Sequence, residues 1–274
     1  MKDILSEIVA HKHEEMAHLE RQLPTARVAE RYEAMKAEGS LPGLPSMRQS
    51  LADSPTGIIA EFKRRSPSKG WINEAAQPHE VPLGYAQAGA AALSVLTDEP
   101  YFGGRLAALR AAYATVRSHR LRTPLLRKDF VVSERQLLEA RILGASAVLL
   151  IAACLPIDRY RELLDYAHGL GLEVLLELHS ESELPYADSP VDLVGVHNRN
   201  LGTFHTDVQI SFRLAQLLPS DKLLVSESGI EQPETIRQLR EVGYRGFLIG
   251  ETFMKTADPA AALSQLLDQL QTPC

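Results

Sequence analysis

Two rhythms of apolar and polar positions divide the chain. In residues 2–37, Ile4, Leu5, Ile8 and Val9 mark one apolar stripe at helical spacing, with glutamate and lysine filling the other positions. Pro24 interrupts this pattern, and Gly39, Pro42, Gly43 and Pro45 end it. From residue 57 the pattern changes to short apolar runs rich in β-branched residues, at 57–63, 91–97, 124–130, 147–153, 172–178, 192–198, 222–228 and 246–252. Helical patterns such as GRLAALRAAYATVR and SERQLLEARILG lie between most of them, and the second opens with Ser133 and Gln136 at capping-box spacing. Eight strands alternating with helices over roughly 200 residues predict an α/β fold, a (β/α)8 TIM barrel. A doubly wound open sheet is the structural competitor, but no GxGxxG follows the first strand and eight even repeats favour closure. The expected organisation is a helical extension, residues 1–50, capping a single barrel domain, residues 51–274.

Composition adds only exclusions. Hydrophobic residues make up 45% of the 274 positions and charged residues 23%, ordinary values with ample material for a core. Twenty-nine basic residues against 35 acidic ones give a net charge of −6, which argues against general nucleic-acid binding. A small anionic ligand stays open, because it needs only a local basic cluster. Cys154 and Cys274 form no ligand or disulfide pattern, and Cys154, after the run AVLLIAA, is expected to be buried. The charged N-terminal stretch lacks a signal-peptide core, and no apolar run approaches the roughly 18 residues of a membrane span, so a cytoplasmic protein without a membrane partner is expected. His11, His13 and His18 have no carboxylate or cysteine framework beside them and read as a solvated helix face rather than a metal site.

The polar residues of the strands cluster at the C-terminal ends: Glu61 and Lys63, then Lys128, Glu177, His197 and Arg199, then Glu227 and Ser228. In a barrel those ends form one face, where the active site sits. Burying a charge in a strand is costly unless it pairs or works, and such charges on several strands point to a site. Alternation sharpens the reading. Glu61 and Lys63 point the same way, Lys128 shares parity with Leu126 and Phe130, and Glu177 points with Leu175 and His179. Glu227 points with Val225 and Gly229, whereas Arg127 and Asp129 face the helices and read as structural. Two lysines and three glutamates therefore converge, and crowded groups of this kind have shifted pKa values. Ser228 and Gly229 end the seventh strand and Gly250 the eighth, where backbone N–H groups of a barrel commonly receive a phosphate.

Taken together, IAEFKRRSPSKG (59–70), SVLTDEPYFGG (94–104), LRKDF (126–130), LLIAACL (149–155), GVHNRNL (195–201), SESGI (226–230) and LIGETFM (248–254) resemble the successive signature segments of the indole-3-glycerol-phosphate synthase family. The resemblance spans the whole chain. It implies a carboxy-lyase of tryptophan biosynthesis that closes, decarboxylates and dehydrates 1-(2-carboxyphenylamino)-1-deoxyribulose 5-phosphate to indole-3-glycerol phosphate. It further implies Lys128 as general acid and Glu177 as general base, with Lys63 contacting substrate. Glu61, Ser66, Phe130, His197, Arg199 and Glu227 fall in the substrate site, and Ser228, Gly229, Gly250 and Glu251 where the phosphate is held. No cofactor is expected, since the iminium formed on ring closure is itself an electron sink and the sequence offers no ligand cluster for a metal. The expected partner is a small phosphorylated substrate. The chain is expected to be a monomer or weak homo-oligomer, contacts with other tryptophan-pathway enzymes being open.

One position departs from the family pattern. The family reads G-[IV]-N-x-R at the sixth strand, and here GVHNR places His197 at the asparagine position, with Asn198 facing out. Imidazole can replace the amide as a hydrogen-bond partner, or the pocket has been retuned for a related phosphorylated sugar amine, as in a paralogous isomerase. A non-catalytic metabolite-binding barrel is the rival from another class. Histidine titrates near neutrality when unperturbed, so His197 is expected to add a titration near pH 6–7 to the rate profile.

Overall fold

The computed structural model describes residues 4–200, 202–203 and 205–271, and Cys274 lies outside the described residues. Eight strands form a closed barrel: β1 (Ile58–Phe62), β2 (Ala92–Leu96), β3 (Leu125–Lys128), β4 (Ala147–Ile151), β5 (Glu173–Leu178), β6 (Leu193–His197), β7 (Leu223–Glu227) and β8 (Tyr244–Ile249). Each pairs in parallel with its sequence neighbours, and β8 closes on β1 with Ile59 opposite Leu248.

Both faces of these strands are covered, which is why they read as apolar runs instead of strict alternations. Residues of one parity, including Ile59, Leu126, Leu149, Leu175, Leu193, Val225 and Leu248, fill the barrel interior. Residues of the other parity, such as Ile58, Ala60, Val148 and Val174, pack outward into the larger core beneath the helices. Those helices are α4 (Val81–Ala88), α5 (Leu106–Ser118), α6 (Glu134–Leu143), α7 (Ile157–Gly169), α8 (Gln209–Ala215), α9 (Pro233–Glu241), α10 (Glu251–Met254) and α11 (Pro259–Gln271). The connection from β5 to β6 is a 3-10 segment, Glu181–Asp188, in which Pro185 has no N–H for an α-helical bond. At the start of α6, Gln136 Oε1 accepts from the backbone N–H groups of Val132 and Ser133 at 2.8 and 3.2 Å, so the glutamine half of the expected capping box is formed.

Three helices precede the barrel: α1 (Ile4–Gln22), α2 (Thr25–Ala37) and α3 (Met47–Asp53). They attach at opposite ends. Ile4, Leu5 and Ile8 of α1 line the cavity at the C-terminal mouth. Met47 and Leu51 of α3, both fully buried, join the interior core at the other end. The Glu173 carboxylate at the foot of β5 accepts from Met47 N and Arg48 N at 2.7 and 2.9 Å, placing a negative charge at the N-terminus of α3. Helix α3 straddles residue 50 and plugs the barrel, so the expected boundary there falls inside a structural element.

Helix α1 also differs from its expected solvated face. His13 and His18 are exposed, but His11 is half-buried, edge-on to Tyr101 with ring centroids 5.8 Å apart. Between them Lys12 is 1% exposed, with Nζ 2.7 Å from Glu15, 3.1 Å from Asp98 and 3.2 Å from Asp129. Asp129 in turn accepts from Arg127 at 2.9 Å and Thr97 at 2.6 Å. Asp129 thus anchors α1 and Arg127 holds Asp129, the structural part their parity predicts, although Asp129 also borders the cavity at the mouth. Cys154 is half-buried on a 3-10 turn after β4 instead of fully buried. No helix among the described residues is long and apolar enough to cross a membrane.

Candidate active site

A cavity of about 500 Å3 opens at the C-terminal ends of the strands. Its floor is set by parity: Glu61, Lys128, Glu177, His197 and Glu227 sit one register above the apolar interior and all reach it. At the centre, Lys128 Nζ lies 2.7 Å from Glu177 Oε2 and 2.7 Å from Glu227 Oε2. Lys63 Nζ pairs with Glu61 Oε1 at 2.6 Å on the adjacent wall.

The charges in this cage are unequal. Burial disfavours the Lys128 ammonium, but Glu177, Glu227 and Glu61 outweigh it and raise its pKa, so it stays a cation. Burial likewise opposes the Glu177 carboxylate, yet the Lys128 cation and the hydrogen bond with His179 hold it well below the ordinary value. Glu227 goes the other way: burial, with repulsion from Glu177 and Glu61, outweighs Lys128 and pushes it up to about 7. Its Oε1 has no hydrogen-bond partner among the described residues. The cage therefore holds a cationic donor, an ionised acceptor and a carboxyl group poised to exchange a proton near neutrality.

Glycines make room for these groups. A Cβ at Gly195 would stand 2.2 Å from Glu227 Oε1, and one at Gly250 would stand 2.5 Å from Glu61 Oε1. Gly229 has φ +74° and Ser228 φ +69°, a left-handed pair that turns the chain sharply after β7. Arg199 crosses the same rim: its Nη1 donates to Ser68 Oγ and its Nε to Thr206 Oγ1, both at 3.1 Å. Glu251, after β8, sits 3.6 Å from Arg199 and 3.7 Å from Lys69. Ser66 is buried in a short hairpin following β1, with Oγ 3.4 Å from Ser68 Oγ. On the opposite wall Phe130 and Phe102 face each other with centroids 5.9 Å apart, beside Ile4, Leu5 and Ile8 of α1.

His197 points inward and Asn198 outward, as their parity requires. Asn198 is fully buried and bonds to Ser226, Ser211 and the Ser228 carbonyl. His197 Nδ1 faces the Arg199 carbonyl at 3.1 Å and therefore carries the ring proton, while Nε2 faces Ser228 Oγ at 2.9 Å. The expected titration near pH 6–7 does not fall on His197. Its burial, together with the neighbouring His179 and Lys128, outweighs Glu177 and lowers its pKa to about 3, so the ring stays neutral. His179 is the imidazole with a raised pKa: burial opposes its charge, but Glu177 at 2.9 Å outweighs it.

All thirteen expected site residues line one cavity. Parity of the strand residues placed most of them. Gly195 and His179 share the inward parity of His197 and Glu177, a signal sufficient to find both. Ser68, Lys69, Phe102 and Thr206 lie in loops, where no periodicity marks a direction, and sequence reasoning missed them.

A closed parallel barrel carrying a buried lysine–glutamate cage and a glycine-lined basic rim at the C-terminal ends of its strands places the chain in the (β/α)8-barrel class. The sequence profile of indole-3-glycerol phosphate synthase matches residues 5–266, and the chain belongs to that family. It is 53% identical over 271 residues to the indole-3-glycerol phosphate synthase of Bacteroides thetaiotaomicron, covering 99% of this chain and 100% of the relative. It is 41% identical over 271 residues to that of Burkholderia vietnamiensis, covering 97% and 99%. In solved structures the barrel resembles 3-hexulose-6-phosphate synthase from Salmonella typhimurium, with a TM-score of 0.58 at 13% identity over 78% of this chain and all of that one, a likeness of fold.

Proposed function

We propose that this chain is a carboxy-lyase of tryptophan biosynthesis. It converts 1-(2-carboxyphenylamino)-1-deoxyribulose 5-phosphate to indole-3-glycerol phosphate, carbon dioxide and water. The observation that carries the reading is the Lys128 ammonium held 2.7 Å from two glutamates, beside a rim with Arg199 and Gly229.

Ring closure requires the aromatic carbon bearing the carboxylate to attack the ribulose ketone, whose oxygen gains negative charge as the bond forms. Lys128, kept cationic by its two glutamates, donates a proton to that oxygen, a role worth roughly 10²–10⁴ in rate. Closure leaves an iminium cation next to the carboxylate, so carbon dioxide departs with its electron pair flowing into the ring. Lys63 holds the departing carboxylate's charge, and Glu61 fixes Lys63. Glu227, which holds a proton near neutrality, returns one to Lys128; Lys128 then protonates the new hydroxyl and expels water, and the ionised Glu177 takes the proton whose loss restores aromaticity. Glu227 balances Lys128 through these exchanges.

Binding follows the same surfaces. The phosphate lies against the backbone of Ser228, Gly229 and Gly250, with Arg199 supplying charge and Glu251 holding Arg199 and Lys69 in place beforehand. Phe130 covers the aromatic ring, Ser66 and His197 contact the chain of the sugar, and residues 1–50 act as a cap through α1. The assay is incubation with the carboxyphenylamino-deoxyribulose phosphate while following indole fluorescence. Turnover abolished by Lys128→Ala is expected. Tight binding without indole formation overturns the reading.

A further inference from the structure

Glu177, His179 and His197 each offer one ligand atom, and the three atoms lie within 4.8 Å of one another. They stand on the neighbouring strands β5 and β6 and at the rim just beyond β5, so barrel hydrogen bonds fix their relative positions. Two imidazoles and a carboxylate are the donor set of borderline transition ions such as Zn2+, Co2+ and Ni2+, whereas Mg2+ and Ca2+ favour all-oxygen sites.

His197 decides the matter. Its Nδ1–H donates to the Arg199 carbonyl, so Nε2 carries the lone pair; it accepts from Ser228 Oγ at 2.9 Å, a bond that an ion would displace. A ring N–H tied to a backbone carbonyl is the arrangement that orients metal-ligating histidines. His179 stands edge-on to it with ring centroids 4.9 Å apart, and its Nδ1 is buried without a hydrogen-bond partner among the described residues. Asparagine at position 197 would leave a single imidazole, too weak a set for a zinc-type ion.

Surrounding charge permits a cation. Lys128 opposes it from 2.7 Å beyond Glu177 Oε2, but Glu227 shares that ammonium at 2.7 Å and Lys63 is paired with Glu61 at 2.6 Å. An ion on Glu177 Oε1 leaves Oε2 to Lys128. Metal bonds of about 2.1 Å place tetrahedral ligands roughly 3.4 Å apart, so the most separated pair must close by up to about 1.4 Å. The open cavity leaves a further position for water.

We infer that Glu177, His179 and His197 form an inhibitory site for a divalent transition-metal ion of the zinc type, filled in competition with substrate. Coordination removes Glu177 as a proton acceptor and places positive charge where the sugar binds. The inhibition rests on the synthase reading; the binding does not.

The test uses tag-free full-length protein, treated with EDTA and dialysed against Zn2+ or Co2+. One ion per chain and a visible Co2+ absorption band are expected, with affinity lowered about a hundredfold in His197→Asn and in His179→Gln. Each variant is checked for a cooperative melt, so that at least one reports on a folded barrel. Zn2+ should raise the apparent KM of the wild-type enzyme, and EDTA should restore it, whereas each variant, scored against its own metal-free rate, resists. Absent binding, wild-type Zn2+ affinity in both variants, or inhibition indifferent to substrate concentration overturns the inference. Failure of the synthase reading has a different signature, absence of turnover in the metal-free protein with Zn2+ binding intact.

Discussion

The His197 imidazole meets the Ser228 hydroxyl at 2.9 Å through Nε2, joining the ends of β6 and β7 across the rim of the cavity. Because Nδ1–H is committed to the Arg199 carbonyl, Nε2 is the acceptor and Ser228 the donor. The histidine at this position therefore works as a fixed neutral hydrogen-bond acceptor.

A neutral His197, its pKa near 3, contributes no titration of its own to catalysis around neutrality. His197→Asn should raise KM while leaving the limbs of the kcat/KM profile between pH 5.5 and 9 where they are. Steady-state rates across that range decide it, and a limb that vanishes with the substitution would contradict the neutral assignment.

Much of this geometry was legible in the sequence because a barrel converts strand alternation into direction. Glu61, Lys128, Glu177, His197 and Glu227 were placed in one cavity by parity alone, and Arg127 and Asn198 outside it; Asp129, also read as outside, borders the cavity wall. Lys12 was not legible: on an amphipathic helix a buried lysine looks like a solvated one until Asp98 and Asp129 arrive from distant strands. The neutrality of His197 was hidden for a similar reason, since burial, not residue type, sets its pKa.

Glu227 carries a stability signature. Its folded-state pKa of about 7 lies above the ordinary 4.5, so the native state keeps a proton that the unfolded chain releases between those values. That contribution is fully present below pH 4.5 and is lost as pH rises toward 7. Glu227→Gln has the same shape and no titration, so its melting temperature should gain on wild type from pH 5 to pH 8. The gain is on the order of 2 kcal/mol. A constant difference between the two proteins over that range would refute it.

Gly195 tests how tightly the cage is built. An alanine Cβ there would collide with Glu227 Oε1 at 2.2 Å and crowd Leu175 Cδ1 at 3.2 Å. The carboxylate must swing away from Lys128. Gly195→Ala should lower kcat about a hundredfold, the usual cost of misplacing a reacting group by roughly 1 Å. Circular dichroism should still report a cooperative melt, and wild-type kcat in the variant would mean the cage is soft.

Glu251 occupies two cations that an incoming phosphate needs, Arg199 and Lys69. Neutralising it frees both. Since the three side chains are partly exposed, screening limits the effect. Glu251→Gln should tighten competitive inhibition by inorganic phosphate about threefold, and weaker inhibition would show that Glu251 serves chiefly to position Arg199.

Lys12 couples the stability of the fold to the shape of the pocket. It is the cation shared by the buried carboxylates Asp98 and Asp129, and it lies one helical turn from Ile8, which lines the cavity. Burial and the neighbouring Asp129 raise the pKa of Asp98 against the pull of Lys12, so losing the lysine leaves two carboxylates facing each other. Removing one partner of a buried ion pair costs about 3–5 kcal/mol. Lys12→Met should therefore lower the melting temperature and, by loosening α1, raise KM proportionally more than it lowers kcat. Adding Asp98→Asn to that variant removes the repulsion and should recover part of the stability without restoring KM. Denaturant melts and steady-state kinetics on the three proteins separate these effects. A Lys12→Met enzyme with unchanged KM would show that α1 covers the pocket independently of its buried anchor.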